Sequence, residues 1–301
     1  MMSAGVFTIE YRVKEAVMNS VTLPEGSCMP ALGLGTWHMG ETTARRADEI
    51  AAVRLALDLG YRVIDTAEMY GDGGAERIVG QALAEALRAG PLAREQVFVV
   101  SKVTPHNASR QGVAAACERS RRRLGLDHID LYLLHWPGPH PVQDTIMGFE
   151  DLRQKGRISH WGVSNFDVQD LADLSAAPSG SRCAANQVYY SLSTRGPEVE
   201  LLPWQRSRSM PLMAYCPLDQ GELADHPALI RLAERHGATP SQVALAWLLT
   251  HAGVMAIPKA VRETHLRQNL AAADLTLGDS DLAEIDRHFP PPRRKARLAM
   301  R

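Results

Sequence analysis

Cysteine is scarce. The chain has four, Cys28, Cys117, Cys183 and Cys216, and no two stand in a C-x-x-C spacing. That excludes a disulfide scaffold and a cysteine-built zinc site, and it reads as reduced thiols in a cytoplasmic protein. Long apolar runs are missing: none approaches the roughly 18 residues that span a bilayer, so no membrane partner is expected. Met1 to Val17 lacks the apolar core and small-residue cleavage site of a signal peptide. A charge excess is missing too. The 33 basic and 34 acidic residues leave a net charge of −1, which argues against nucleic acid as a partner. The 11 histidines include no H-x-H and no H-E-x-x-H, so the ligands of a metal-dependent hydrolase are absent and no metal is expected.

What is present is a core and a repeating pattern. Of 301 residues, 45% are hydrophobic and 22% charged, enough for one large α/β domain or two small ones. A strand-like pair, Val21–Leu23 and Met29–Ala31, comes first. Eight strand patterns follow, ending near Trp37, Asp65, Lys102, His135, Asn165, Tyr189, Tyr215 and Lys259. Helical patterns separate them, including Ala44–Leu59, Glu76–Leu87 and Glu198–Arg206. Eight strand–helix units in unbroken series predict a (β/α)8 TIM barrel, an α/β fold, with an N-terminal β-hairpin. A doubly wound sheet is the competing architecture. Gly33-Leu34-Gly35-Thr36-Trp37-His38 does not supply its dinucleotide fingerprint, because the third glycine is missing and no helix follows at once. With no linker or low-complexity tract, residues 1–301 read as a single barrel domain. Residues 1–17 form an N-terminal extension and 290–301 a C-terminal tail. Pro290-Pro291-Pro292 ends the last helix, and Arg293–Arg301 reads as a solvated basic run.

Polar residues at strand ends carry the functional signal. Asp65, Lys102 and His135 each close an apolar run, and Tyr70 follows Asp65 by five residues. Titratable groups at the C-terminal ends of several strands are how such a barrel builds a site. A nearby ammonium, Lys102, favours the phenolate and is expected to draw Tyr70 down from about 10 toward neutrality. Asp65 holds Lys102 charged, and His135 orients a carbonyl oxygen beside Tyr70. Together the four protonate an oxygen as it gains charge, as carbonyl reduction requires. Taken singly, each has an ordinary explanation. Asp65-Thr66 can cap a helix, Lys102 can snorkel, and His135 can be a satisfied core imidazole. A glycosidase would need paired carboxylates where the strands carry His135 and Tyr215.

These residues resemble the signatures of the aldo/keto reductase family. Asp65-Thr66-Ala67-Glu68-Met69-Tyr70-Gly71, Ser101-Lys102 and Leu133-Leu134-His135-Trp136 match three of its motifs. Gly162-Val163-Ser164-Asn165-Phe166, Asn186-Gln187, Tyr215-Cys216-Pro217-Leu218 and Ile257-Pro258-Lys259-Ala260 agree in the same order. The resemblance runs from about Val21 to Ala272 and looks nearest the short bacterial members, several of which reduce methylglyoxal and other small aldehydes.

The resemblance implies a barrel with NADPH, rather than NADH, across its C-terminal rim. It implies Tyr70 as proton donor, aided by Asp65, Lys102 and His135. Ser164, Asn165 and Gln187 would hold the nicotinamide carboxamide, and Tyr215 would stack on the ring. Pro217, Leu218 and Gln220 would follow the pyrophosphate, with Trp37 and Asp65 also among the cofactor contacts. Lys259 would meet the 2′-phosphate, with Arg262, His265, Gln268 and Asn269 beside it. Cys216 and Ala260 stand where many members have serine, His265 where many have arginine, and Gln268 where glutamate is common.

Trp37, His38, Met69 and Trp136 are expected to wall the substrate pocket. Short loops such as Trp136–Val142 predict an open pocket for small carbonyl substrates. A monomer or weak homo-oligomer is expected. The alternatives are a cofactor-sensing, weakly catalytic subunit and a reductase of keto-sugar acids.

Overall fold

The computed structural model describes residues 20–301; the expected N-terminal extension, residues 1–17, lies outside the described residues. An antiparallel hairpin of β1 (Ser20–Thr22) and β2 (Cys28–Pro30) comes first, as expected from the early strand-like pair. Eight parallel strands follow: β3 (Leu34–Gly35), β4 (Val63–Asp65), β5 (Phe98–Val103), β6 (Ile129–Leu134), β7 (Ile158–Ser164), β8 (Asn186–Tyr189), β9 (Leu212–Tyr215) and β10 (Val254–Ala256). They pair in sequence order. The ring closes where β10 meets the first strand segment. Gly33 N–H donates to the Ala256 carbonyl at 2.9 Å and Gly35 N–H to the Pro258 carbonyl at 3.0 Å, with parallel bridges at Leu32–Ala256 and Gly35–Lys259. The molecule is a (β/α)8 barrel, not a doubly wound sheet.

Helices alternate with the strands: α1 (Arg46–Leu59), α2 (Gly74–Ala89), α3 (Arg110–Leu124), α4 (Val142–Gln154), α5 (Val168–Ala176), α6 (Leu201–Arg206), α7 (Pro227–His236), α8 (Pro240–Leu249), α9 (Glu263–Ala271) and α10 (Asp279–His288). Two helices, α7 and α8, lie between β9 and β10. The helix expected over Glu198–Arg206 starts later, at Leu201, because Pro197 sits in a separate 3-10 turn. Their starts are written locally. Ser109 accepts from Gly112 N–H at α3, Asp167 accepts from Val168 N–H at α5, and Thr239 accepts from Gln242 N–H at α8. Asp65-Thr66 caps nothing, since α2 begins at Gly74. No helix among the described residues is long and apolar enough to cross a membrane.

Strand parity divides the core in two. One set, Val63, Val100, Leu131, Leu133, Ala185, Met213, Met255 and Ile257, packs together inside the ring, with hairpin residues Val21, Leu23 and Met29 joining it at the base. The alternate set, including Ile64, Val99, Tyr132, Leu134, Val163, Val188, Leu212 and Ala256, faces the helices. Side chains alternate along a strand, so the inward ladder continues upward as Val63–Asp65, Val100–Lys102, Leu131–Leu133–His135, Ala185–Gln187 and Met213–Tyr215. Each inner apolar row therefore ends in a polar residue at the C-terminal mouth.

The glycines that fail as a dinucleotide fingerprint have a packing role at the closing seam. A Cβ on Gly35 would lie 2.7 Å from the Ile257 carbonyl oxygen, and one on Gly33 would lie 3.0 Å from Val63 Cβ. Gly35→Ala should push β10 from the seam and destabilise the fold by about 1–3 kcal/mol, read as a lowered urea midpoint. An unchanged midpoint would mean that the seam relaxes freely.

Candidate active site

Asp65 closes β4, and Lys102 is the penultimate residue of β5 on the adjacent strand. Both point inward by the parity above. Lys102 is fully buried. Its Nζ donates to Asp65 Oδ1 at 2.6 Å, to the Thr66 carbonyl at 2.9 Å and to Tyr70 Oη at 3.2 Å. The three donors of an ammonium are thus all used. Tyr70 lies in the turn before α2, and Lys102 Nζ also sits 4.8 Å from its ring centroid. His135 follows β6, and its ring packs edge-on against Tyr70 at 5.7 Å. All four residues of the expected tetrad come together at the mouth.

The protonation states differ from the expectation in one respect. Burial pushes the Tyr70 phenol well above its ordinary value, and the Asp65 charge and then the Cys216 thiol push the same way. The phenol is not brought toward neutrality, because burial dominates and the Asp65 charge adds to it. Burial lowers Lys102 itself, while Asp65 holds it up. His135 lies well below the ordinary imidazole value, from burial first and the Lys102 charge second, so it is neutral. Its Nδ1 is buried with no hydrogen-bond partner among the described residues. The site therefore holds a phenol with its proton in place, an ammonium behind it and an uncharged imidazole beside it.

The expected cofactor residues fall into two groups. Ser164 ends β7, followed by Asn165 with φ 61°, and Gln187 lies in β8. Gln187 Nε2 donates to Asp65 Oδ2 at 2.8 Å. That occupies the second Asp65 oxygen and leaves Gln187 Oε1 free. Asn165 Nδ2 donates to the His135 carbonyl at 3.1 Å and to Ser164 Oγ at 3.2 Å, while its Oδ1 accepts from Tyr215 Oη at 3.0 Å. The Tyr215 ring stacks on Tyr189 at 5.7 Å, and burial pushes its phenol up to about 12. Pro217, Leu218 and Gln220 follow in a tight turn.

The second group is at the β10 end. Lys259 is exposed beside the seam, Arg262 caps α9, His265 and Gln268 are half-buried on α9, and Asn269 is buried. Among the described residues no hydrogen bond ties this group to the tetrad, and it lies on the β10 side of the closing seam.

Of the expected pocket walls, Trp136 packs against His135 at 4.9 Å, and Trp37 stacks on His38 at 4.0 Å. Met69 is 46% exposed. His38 is exposed, and its Nδ1 lies 2.6 Å from Glu41 Oε1. Among the described residues no three His, Cys, Asp or Glu side chains gather as a metal-binding group.

Two features were not expected. Glu76 is fully buried, accepting from Ser101 Oγ at 2.7 Å and from Arg123 at 2.9 Å, and so braces β5 next to Lys102. Its signal in the sequence is an acid in register with Val79 and Leu83 on the apolar face of α2. The second is the tail. Lys295 pairs with Asp167 and Glu200, Leu298 packs on the core, and Arg301 pairs with Glu222 and donates its backbone N–H to Tyr215 Oη. The basic run remains largely exposed, as expected, but Lys295 and Arg301 tie it to the rim. Its ion-pair partners lie in three different loops, after β7, β8 and β9, which a one-dimensional pattern does not bring together.

The aldo/keto reductase family model matches residues 31–289. This chain belongs to the aldo/keto reductase family. Methylglyoxal reductase YeaE of Escherichia coli (strain K12) is 46% identical over 277 residues, covering 90% of this chain and 95% of that protein. Glyoxal reductase of Bacillus subtilis (strain 168) is 36% identical over 271 residues, covering 90% and 93%. The crystal structure of an aldo-keto reductase from Klebsiella pneumoniae in complex with NADPH superposes with a TM-score of 0.89 at 47% identity, covering 94% of this chain and 99% of that one. As a member of the family, the protein is an oxidoreductase acting on the CH–OH group of donors, interconverting carbonyls and alcohols.

The buried pair has a measurable signature. Lys102→Met leaves the Asp65 charge without its cation and should cost about 3–5 kcal/mol of unfolding free energy. Adding Asp65→Asn should recover much of that loss, because the uncompensated charge goes too. Urea denaturation of both variants checks the cycle, and additive losses would mean the two groups are not coupled.

Proposed function

We propose that this aldo/keto reductase uses NADPH to reduce small aldehydes and α-dicarbonyls of the methylglyoxal kind, with Tyr70 as proton donor. The observation that carries this reading is Lys102 Nζ bonded at once to Asp65 and to Tyr70 Oη at the barrel mouth.

The residues present fit the cofactor. Gln187 keeps Oε1 free for a carboxamide N–H while its Nε2 is held by Asp65. Ser164 and Asn165 stand beside it, and the Tyr215 ring offers a flat face at the rim. Lys259 is an exposed cation that enters no ion pair among the described residues, which leaves it available to a 2′-phosphate. When bound, the cofactor supplies hydride to the carbonyl carbon. Support for the substrate class comes from the half-buried Trp37 and Trp136 and from the short connection between β6 and α4. The relatives named for methylglyoxal and glyoxal reduction point the same way.

The chain's own part is proton delivery. The carbonyl oxygen is held beside Tyr70 Oη and the neutral His135 imidazole. As negative charge builds on it, Tyr70 hands over its proton, since an alkoxide is a far stronger base than a phenolate. Lys102 then faces a phenolate, which its ammonium stabilises, and Asp65 keeps that ammonium charged despite its burial. A neutral His135 donates a hydrogen bond without competing for the proton.

Tyr70→Phe should leave NADPH binding intact and lower kcat by about 10²–10⁴-fold, the usual contribution of a positioned acid. Turnover near the parent value would refute Tyr70 as donor. In an NADPH-oxidation screen across small aldehydes, α-dicarbonyls, sugar ketones and steroid ketones, kcat/KM should be highest for the first two. Faster reduction of sugar ketones would favour the keto-sugar alternative. Slow single turnover with every carbonyl would favour a cofactor sensor.

A further inference from the structure

The turn that follows Tyr215 is electrostatically ill-suited to a diphosphate. Cys216, Asp219 and Gln220 all have positive φ, at 46°, 47° and 58°. The backbone is held there by Asp219 N–H to the Cys216 carbonyl at 3.0 Å and Gly221 N–H to the Leu218 carbonyl at 2.8 Å. Within it stand two carboxylates. Asp219 is buried, takes the Tyr189 hydroxyl on Oδ1 at 2.6 Å, and has no partner for Oδ2. Glu222 is exposed. Cys216 supplies a thiol, a poor hydrogen-bond donor to phosphate.

The cation of this turn comes from the other end of the chain. Arg301 Nη2 donates to Glu222 Oε1 at 3.0 Å, and it is the ion pair that this turn makes among the described residues. Its guanidinium lies 5.6 Å from the Tyr189 ring centroid, and its backbone N–H reaches Tyr215 Oη at 3.3 Å. Burial raises the Cys216 thiol, and the Arg301 charge opposes that rise. Tail placement is reinforced upstream by Lys295, 3.0 Å from Glu200 and 3.4 Å from Asp167. Among the described residues Nη2 alone is committed to a side chain, which leaves the other guanidinium N–H groups without a partner there.

We propose that Arg301 is a cofactor-binding residue, whose guanidinium offsets the Glu222 charge of the Cys216–Glu222 turn and contacts the pyrophosphate of the nicotinamide dinucleotide. This rests on the reading above that such a cofactor runs along Pro217–Gln220. A planar fork can keep Glu222 on one edge and serve a phosphate oxygen with another, which a compact ammonium does less well. The tail thus supplies a donor and a charge at the point where the chain has Cys216.

The test is equilibrium binding by fluorescence titration of parent and Arg301→Gln. The substitution keeps the aliphatic stem and a polar end group and removes the charge. NADPH affinity should fall about tenfold or more, the worth of one charge-assisted contact. Affinity for adenosine 2′-phosphate, which carries the 2′-phosphate but no pyrophosphate, should stay the same. A Gln variant that holds NADPH as tightly as the parent would overturn the assignment, and so would an equal loss for adenosine 2′-phosphate. A parent protein that binds no NADPH would instead remove the cofactor reading on which the assignment stands.

Discussion

An ammonium with no access to solvent does not stay charged by itself. Lys102 does so because Asp65 lies 2.6 Å away and the Thr66 carbonyl accepts a second N–H hydrogen bond. The arrangement of the mouth follows from that pair. The third Lys102 donor fixes the Tyr70 hydroxyl, the second Asp65 oxygen fixes Gln187, and the Lys102 charge helps keep His135 neutral. Three strands, β4, β5 and β8, and the Tyr70 turn are tied together through one ion pair. Its desolvation is costly, and the surrounding structure meets that cost with a full complement of hydrogen bonds.

Strand parity explains why so much was legible beforehand. A residue two places above an inward valine or leucine must also face inward, so Asp65, Lys102 and His135 announce themselves by ending apolar rows. The order of strands and helices, and hence the barrel, follows from the same alternation, and the family motifs agree with it. Helix ends were less legible. Pro197 splits one expected helix into a 3-10 turn and a shorter α6, a local effect that periodicity does not resolve.

What escaped the sequence is what depends on distance through space. The direction of the Tyr70 shift turns on burial and on the Asp65 charge beside it, neither of which has a one-dimensional signature. Glu76 reads as an ordinary first-turn acid until Ser101 and Arg123 close around it. The tail reads as a charge run until Asp167, Glu200 and Glu222 are seen to line its path. Gly33 and Gly35 resemble half of a nucleotide fingerprint, yet their lack of a side chain serves close approach of backbone to backbone.

That closing seam bears on how the chain comes to be folded. It joins the earliest barrel strand to the latest, so a chain emerging from the ribosome carries two raw sheet edges for most of its synthesis. Neither edge finds its partner until the final quarter of the polypeptide is available. The half-made protein is therefore a sheet open to pairing with its neighbours, and its exposure to aggregation is set by the pace of translation and not by the stability of the finished ring.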